Sequence, residues 1–153
     1  MGTNFYFLTK KKEAACRLSG GRYEITDSPY FCYEIGCAKT SGGWLPIFRG
    51  YNGGAKSVED YKKAYETGDF EICDEYGTPY DWERFTRRVL EHNGGTHENA
   101  GKNTISCNSG YPFNDPIIKA LPISHLDYFK EKGYDVQIYL DPEGYEFDMG
   151  YFD

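Results

Sequence analysis

Residues 4–9 read NFYFLT, Asn4 through Thr9. The stretch alternates and is rich in rings, the pattern of a strand with one face in a core. It makes the chain's first strand and sets the class of everything after it. Working outward, residues 23–25, 30–35 and 44–51 read as further strands. Gly20-Gly21, Asp27-Ser28-Pro29 and Ser41-Gly42-Gly43 supply the turns between them. Residues 70–73 read as a short strand. Residues 136–140 and 145–147 read as a closing hairpin across Asp141-Pro-Glu-Gly144, where proline presets φ and glycine relaxes the exit.

Helical spacing appears in three places. Ser57 opens a capping-box-like start with Asp60 in place of the usual Glu, and Val58, Tyr61 and Tyr65 recur until Gly68. Asp81 caps a second helix whose Trp82, Phe85 and Val89 form one apolar stripe, expected in the core. Ser124 with Asp127 starts a third, closed at Gly133. Lys10-Lys11-Lys12 reads as a solvated hairpin tip, and Arg84, Arg87 and Arg88 as the exposed face of the second helix. Residues 93–116 are polar and rich in Gly and Asn, the pattern of a long loop with a short strand at 104–107. The expectation is a single α+β domain over 1–153, a mostly antiparallel sheet with about three helices.

Composition narrows the function classes. Of the residues, 39% are hydrophobic and 18% aromatic, so rings carry an unusual share of the apolar area. Fifteen tyrosines suit binding surfaces, because Tyr offers large rigid contact at low entropy cost. They also suit the core of a β-rich domain. No apolar run is long enough to span a membrane, and no charged-then-apolar leader opens the chain. Met1-Gly2 is not a myristoylation signal, since Tyr6 stands where Ser or Thr is wanted. A cytosolic product is expected, with its five cysteines as thiols or metal ligands. The net charge of −7 makes direct nucleic-acid binding a poor expectation. Acids interleave with bases along the chain, unlike the dense carboxylate array of a DNA mimic.

Catalytic signatures fail one by one. Gly36-Cys-Ala-Lys39-Thr40 approaches a phosphate loop but has Ala38 where glycine must precede lysine. Asp74 and Glu75 are neighbours on a strand, so they face opposite sides and cannot share a substrate atom. Asp74 is expected to bond local backbone while Gly77 makes the turn. No nucleophile–base set surrounds a serine or cysteine, and His92, His97 and His125 read as surface residues. The one constellation with chemistry is zinc, which wants four soft ligands in a tetrahedron. Cys16, Cys32 and Cys37 are the candidates, with Cys107 or His92 as the fourth; the other reading is reduced thiols in the core. Cys73 is expected in the core.

Four islands follow one another along the chain: 1–7 MGTNFYF, 39–44 KTSGGW, 74–77 DEYG and 141–147 DPEGYEF. In this order they resemble a family of small bacteriophage and prophage proteins. Those proteins begin MGTN-aromatic and carry a (K)xSxGW island, a DEYG island and a closing D-x-EGYxF island. The resemblance runs from Met1 to about Phe147, with residues 92–125 unmatched. Many members of the family carry a Cys-x-x-Cys and a His just before the K-x-S-x-G-W island. Here Cys16 is what remains of the pair, and Cys37 stands at the approach to KTSGGW. Some small prophage proteins of this type are anti-CRISPR inhibitors. The resemblance therefore implies a non-enzymatic inhibitor of a type II RNA-guided effector nuclease, acting in the host cytoplasm. A small metal-dependent counter-defence hydrolase and a phage accessory or structural protein are the alternatives.

Overall fold

The computed structural model describes residues 2–26, 32–102, 104–106 and 118–150, with backbone alone at 104–106 and 118–120. The turn expected at 27–29, the start of the strand expected at 30–35, Cys107 and residues 108–116 of the expected long loop lie outside the described residues. Eight described strands form one sheet. Its order is β6 (Pro79–Tyr80), β5 (Glu71–Asp74), β1 (Gly2–Thr9), β3 (Cys32–Ser41), β4 (Ile47–Arg49), β10 (Glu146–Asp148) and β9 (Ile138–Leu140). Strand β2 (Glu24–Thr26) pairs β3 beside β4's end. The β4–β10 pair is parallel, and the other described pairs are antiparallel. A separate two-stranded ladder joins β7 (Thr104–Ser106) to β8 (Ile118–Ala120). The expected α+β class with a mostly antiparallel sheet holds.

The alternation of residues 4–9 fixes the layers. Phe5 and Phe7 are fully buried on one face of β1, while Asn4, Tyr6 and Leu8 are half-buried on the other. The Phe7 ring lies 5.2 Å from Tyr61, 5.7 Å from Phe70 and 6.4 Å from Phe85, so α2 (Val58–Glu66) and α3 (Trp82–Phe85) close over that face. Helix α1 (Lys12–Ser19) adds Ala14, Ala15 and Leu18 to the same core. Helix α4 (His125–Glu131) packs at the β9–β10 end.

The helix starts match the sequence. Ser57 accepts from the Asp60 N–H at 3.1 Å, Asp81 from Arg84 at 2.7 Å, and Ser124 from Asp127 at 3.1 Å. Three readings need correction. Residues 10–12 do not form a hairpin tip: Lys12 opens α1, which runs to Gly20 at φ 62°. The strand expected to end at residue 35 runs on as β3 to Ser41. The register passes from Phe5↔Ala38 to Tyr6↔Gly36, leaving Cys37 as the extra residue of a β-bulge. Trp82 is only half-buried, its ring tilted against those of Tyr65 and Phe85, while Phe85 and Val89 are fully buried. Beyond Phe85 the helix widens into a π-type turn over Thr86–Leu90.

This placement separates two substitutions that the sequence alone would treat alike. Phe85→Ala is expected to cost about 3–5 kcal/mol, and Trp82→Ala clearly less, because Trp82 packs at the core's margin and is only partly buried. Urea unfolding of both variants checks the order. A Trp82→Ala loss equal to that of Phe85→Ala would put Trp82 back in the core.

Candidate interaction surface

The islands that look most functional in sequence are occupied with holding the fold together. Asp74 accepts from the N–H groups of Tyr76 at 2.9 Å and Thr78 at 3.0 Å, and from the Tyr80 hydroxyl at 2.9 Å. Gly77 makes the turn at φ 82°. Glu75 accepts from the Asn4 N–H at 2.9 Å, fastening the end of β5 to β1. Asp141, buried in the closing turn, accepts from Val58 at 2.9 Å, Glu143 at 3.1 Å and Tyr145 at 2.8 Å. It thereby caps α2 from the far end of the chain. Glu146 is fully buried and accepts from the Ser124 hydroxyl and, at 2.9 Å, from the His125 N–H, which anchors the start of α4.

The rest of these islands is also accounted for. Trp44 stacks on His125 with ring centres 4.8 Å apart, and its carbonyl accepts from the Asn93 amide at 2.8 Å. Burial lowers the pKa of His125 and of His92, keeping both rings neutral near pH 7. Their ring nitrogens lie 2.9 Å from the Leu45 and Ser41 carbonyls, respectively. His97 meets Asp127 at 3.1 Å.

What remains is the face of the sheet turned away from α1, α2 and α3. Cross-strand partners project to the same side. Leu8 therefore shares this face with Glu34 and Glu71, and Tyr6 shares it with Gly36 and Cys73. The pairing Glu24↔Glu34 adds a second carboxylate directly beside the first. Glu24, Glu71 and Glu75 are exposed, while Tyr6, Leu8, Glu34 and Cys73 are half-buried. Four carboxylates separated in the sequence thus share one side once folded, alongside Lys39, Arg22 and Arg49.

The titration behaviour reports that field. Burial, then the charges of Glu34, Glu75 and Glu24, push the Tyr6 phenol above its ordinary value. Burial and then Glu24 push Glu34 up. Burial, Glu34, Asp74 and Glu71 push the Cys73 thiol up to about 11. Cys73 lies on this open face, not in the core as expected, because β5 pairs it with Tyr6. Among the described residues, neither the Glu24 nor the Glu34 carboxylate has an ion-pair or hydrogen-bond partner.

The zinc candidates are distributed differently. Cys16 lies half-buried on α1, Cys32 half-buried at the start of β3, and Cys37 buried in the bulge. Burial holds the Cys37 thiol well above its ordinary pKa. Nε2 of His92 already faces the Ser41 carbonyl at 2.9 Å. Among the described residues no three His, Cys, Asp or Glu side chains form a metal-holding group, and Cys107 lies outside those residues.

No family model matches the chain, and no curated protein or solved structure matches it. Among the described residues no helix is long and apolar enough to cross a membrane.

Thiol chemistry distinguishes a buried Cys37 from a ligating one. In native protein a maleimide is expected to label Cys16 and Cys32 first and to reach Cys37 only after unfolding. Mass spectrometry of labelled peptides reads the order. Protection of Cys16, Cys32 and Cys37 together, lifted by a chelator and accompanied by about one zinc per chain, would instead establish the metal site.

Proposed function

We propose that this protein is a phage-encoded, non-enzymatic inhibitor that works by occupying a basic surface of a host defence complex. Its most specific target, on the strength of the sequence resemblance, is a type II RNA-guided effector nuclease. The observation that carries the binding reading is the uncovered sheet face, where Tyr6 and Leu8 lie among Glu24, Glu34, Glu71 and Glu75. A cross-strand pair of like charges is unfavourable to the fold. Such a pair fits a surface whose partner is positively charged. Nucleic-acid-handling enzymes offer that partner, with broad basic grooves for their heteroduplex. Charge steers the encounter, and rings such as Tyr6 supply the anchors.

Were zinc bound by Cys16, Cys32 and Cys37 with Cys107 or His92, it would act as a structural staple that pins loops. The chemistry of inhibition does not pass through it.

Titration of the protein into a target-cleavage reaction tests the proposal. Cleavage is expected to fall in proportion to protein added, approaching completion near one inhibitor per effector, with association slowing as salt rises. Inhibition at far below one equivalent, growing with time, would reveal an enzyme. Indifference of type II effectors from several hosts would remove the target.

A further inference from the structure

The open face is not flat. A cleft of about 460 Å³ is sunk into it, bordered by Asn4, Tyr6, Tyr23, Glu24 and Glu34, with Gly36 leaving its floor bare. Tyr23 is braced edge-on against Tyr33 with ring centres 5.0 Å apart. Arg22 and Arg49 border the cleft on the Tyr51 side, Arg49 packing over the Tyr51 ring at 5.0 Å. We propose that this cleft receives an arginine side chain of the basic partner. The guanidinium is gripped by Glu24 and Glu34 and flanked by the Tyr6 and Tyr23 rings.

Three features select that ligand. First, Glu34 is a half-buried carboxylate that has no partner among the described residues, and a charge withdrawn from water calls for a counter-charge. Second, the Glu24↔Glu34 register sets two carboxylates side by side, with Cβ atoms roughly 5 Å apart. That spacing suits the planar fork of a guanidinium, which can bond both at once. A lysine ammonium is a point charge and gains less from it. Third, tyrosine rings offer stacking surface for the same planar group. A divalent cation fits less well, since no third His, Cys, Asp or Glu side chain joins the pair in a metal-holding group among the described residues.

Gly36 gives a steric handle that leaves charge untouched. A Cβ added there would meet the Tyr51 hydroxyl at 3.6 Å and an Arg49 nitrogen at 3.9 Å, both ordinary contacts. A leucine at that position therefore enters the cleft while the strand keeps its backbone.

The inference rests on the binding reading above, and its test keeps the two apart. The full chain, labelled for amide NMR, is titrated with capped Gly-Arg-Gly, Gly-Lys-Gly and Gly-citrulline-Gly. Saturable binding of the arginine peptide is expected, with shifts centred on Tyr6, Glu34 and Gly36, at least about fivefold tighter than the lysine peptide. Citrulline, which has the shape without the charge, should not saturate. Glu34→Gln and Gly36→Leu should each weaken the arginine peptide by about fivefold or more. Equal binding of arginine and lysine peptides, binding indifferent to both variants, displacement by millimolar Ca2+ or Mg2+, or no binding of the arginine peptide would each overturn the site. Effector inhibition assayed in parallel separates the readings. Inhibition that persists without peptide binding ends only the arginine site. Peptide binding without inhibition ends only the proposed target.

Discussion

The buried carboxylate of Asp141 is the constraint on which the rest of the structure depends. It sits in the closing turn and accepts backbone N–H groups from that turn and from Val58, the first residue of α2. Bonds from N–H groups to a buried carboxylate are each worth roughly 1.5–3 kcal/mol. They tie the last hairpin to a helix that begins far earlier in the chain. The same turn holds the His97 N–H at the Gly144 carbonyl, and three residues further on than Tyr145's neighbour Gly144, Phe147 stacks on Phe48 with ring centres 5.3 Å apart. Glu146, between Tyr145 and Phe147, anchors α4. One short segment thereby fixes two helices and the parallel β4–β10 pair.

Acidic residues divide into two populations with opposite effects on stability. Asp74, Asp141 and Glu146 are buried and surrounded by donors, so their hydrogen bonds strengthen the fold. Glu24 and Glu34 oppose one another on an uncovered face, and their charge weakens it. Burial and Glu24 raise the pKa of Glu34, the sign of a carboxylate more comfortable neutral in the fold. Above that raised value the ionised group is a destabilising one. A fold that is well supplied with internal staples can carry such a pair on a surface reserved for a partner.

Much of this was legible from local chemistry. Ser57, Asp81 and Ser124 announce helix starts because a cap bonds an N–H three residues on. Gly77 and Gly133 mark turns because their backbones enter the left-handed region. Helix α1 escaped notice because its buried stripe is built from Ala14, Ala15 and Leu18 and its Lys11 cap makes no side-chain bond. Strand β3 looked broken at Gly36 because a bulge, unlike a turn, leaves no distinct sequence mark. The acidic face was illegible for a different reason. Glu24, Glu34, Glu71 and Glu75 become neighbours only through strand register and order, which no local pattern specifies.

The carboxylate pair on the uncovered face serves binding, while the buried carboxylates serve the fold. Thermal unfolding of Glu34→Gln beside Glu146→Gln at pH 7 tests this division most directly. Relief of a like-charge pair should leave Glu34→Gln at or above the wild-type midpoint, by up to roughly 1 kcal/mol. Glu146→Gln should melt several degrees lower, because buried N–H and O–H donors lose a charged acceptor. A Glu34→Gln midpoint depressed as far as that of Glu146→Gln would contradict the account and make the open face part of the scaffold.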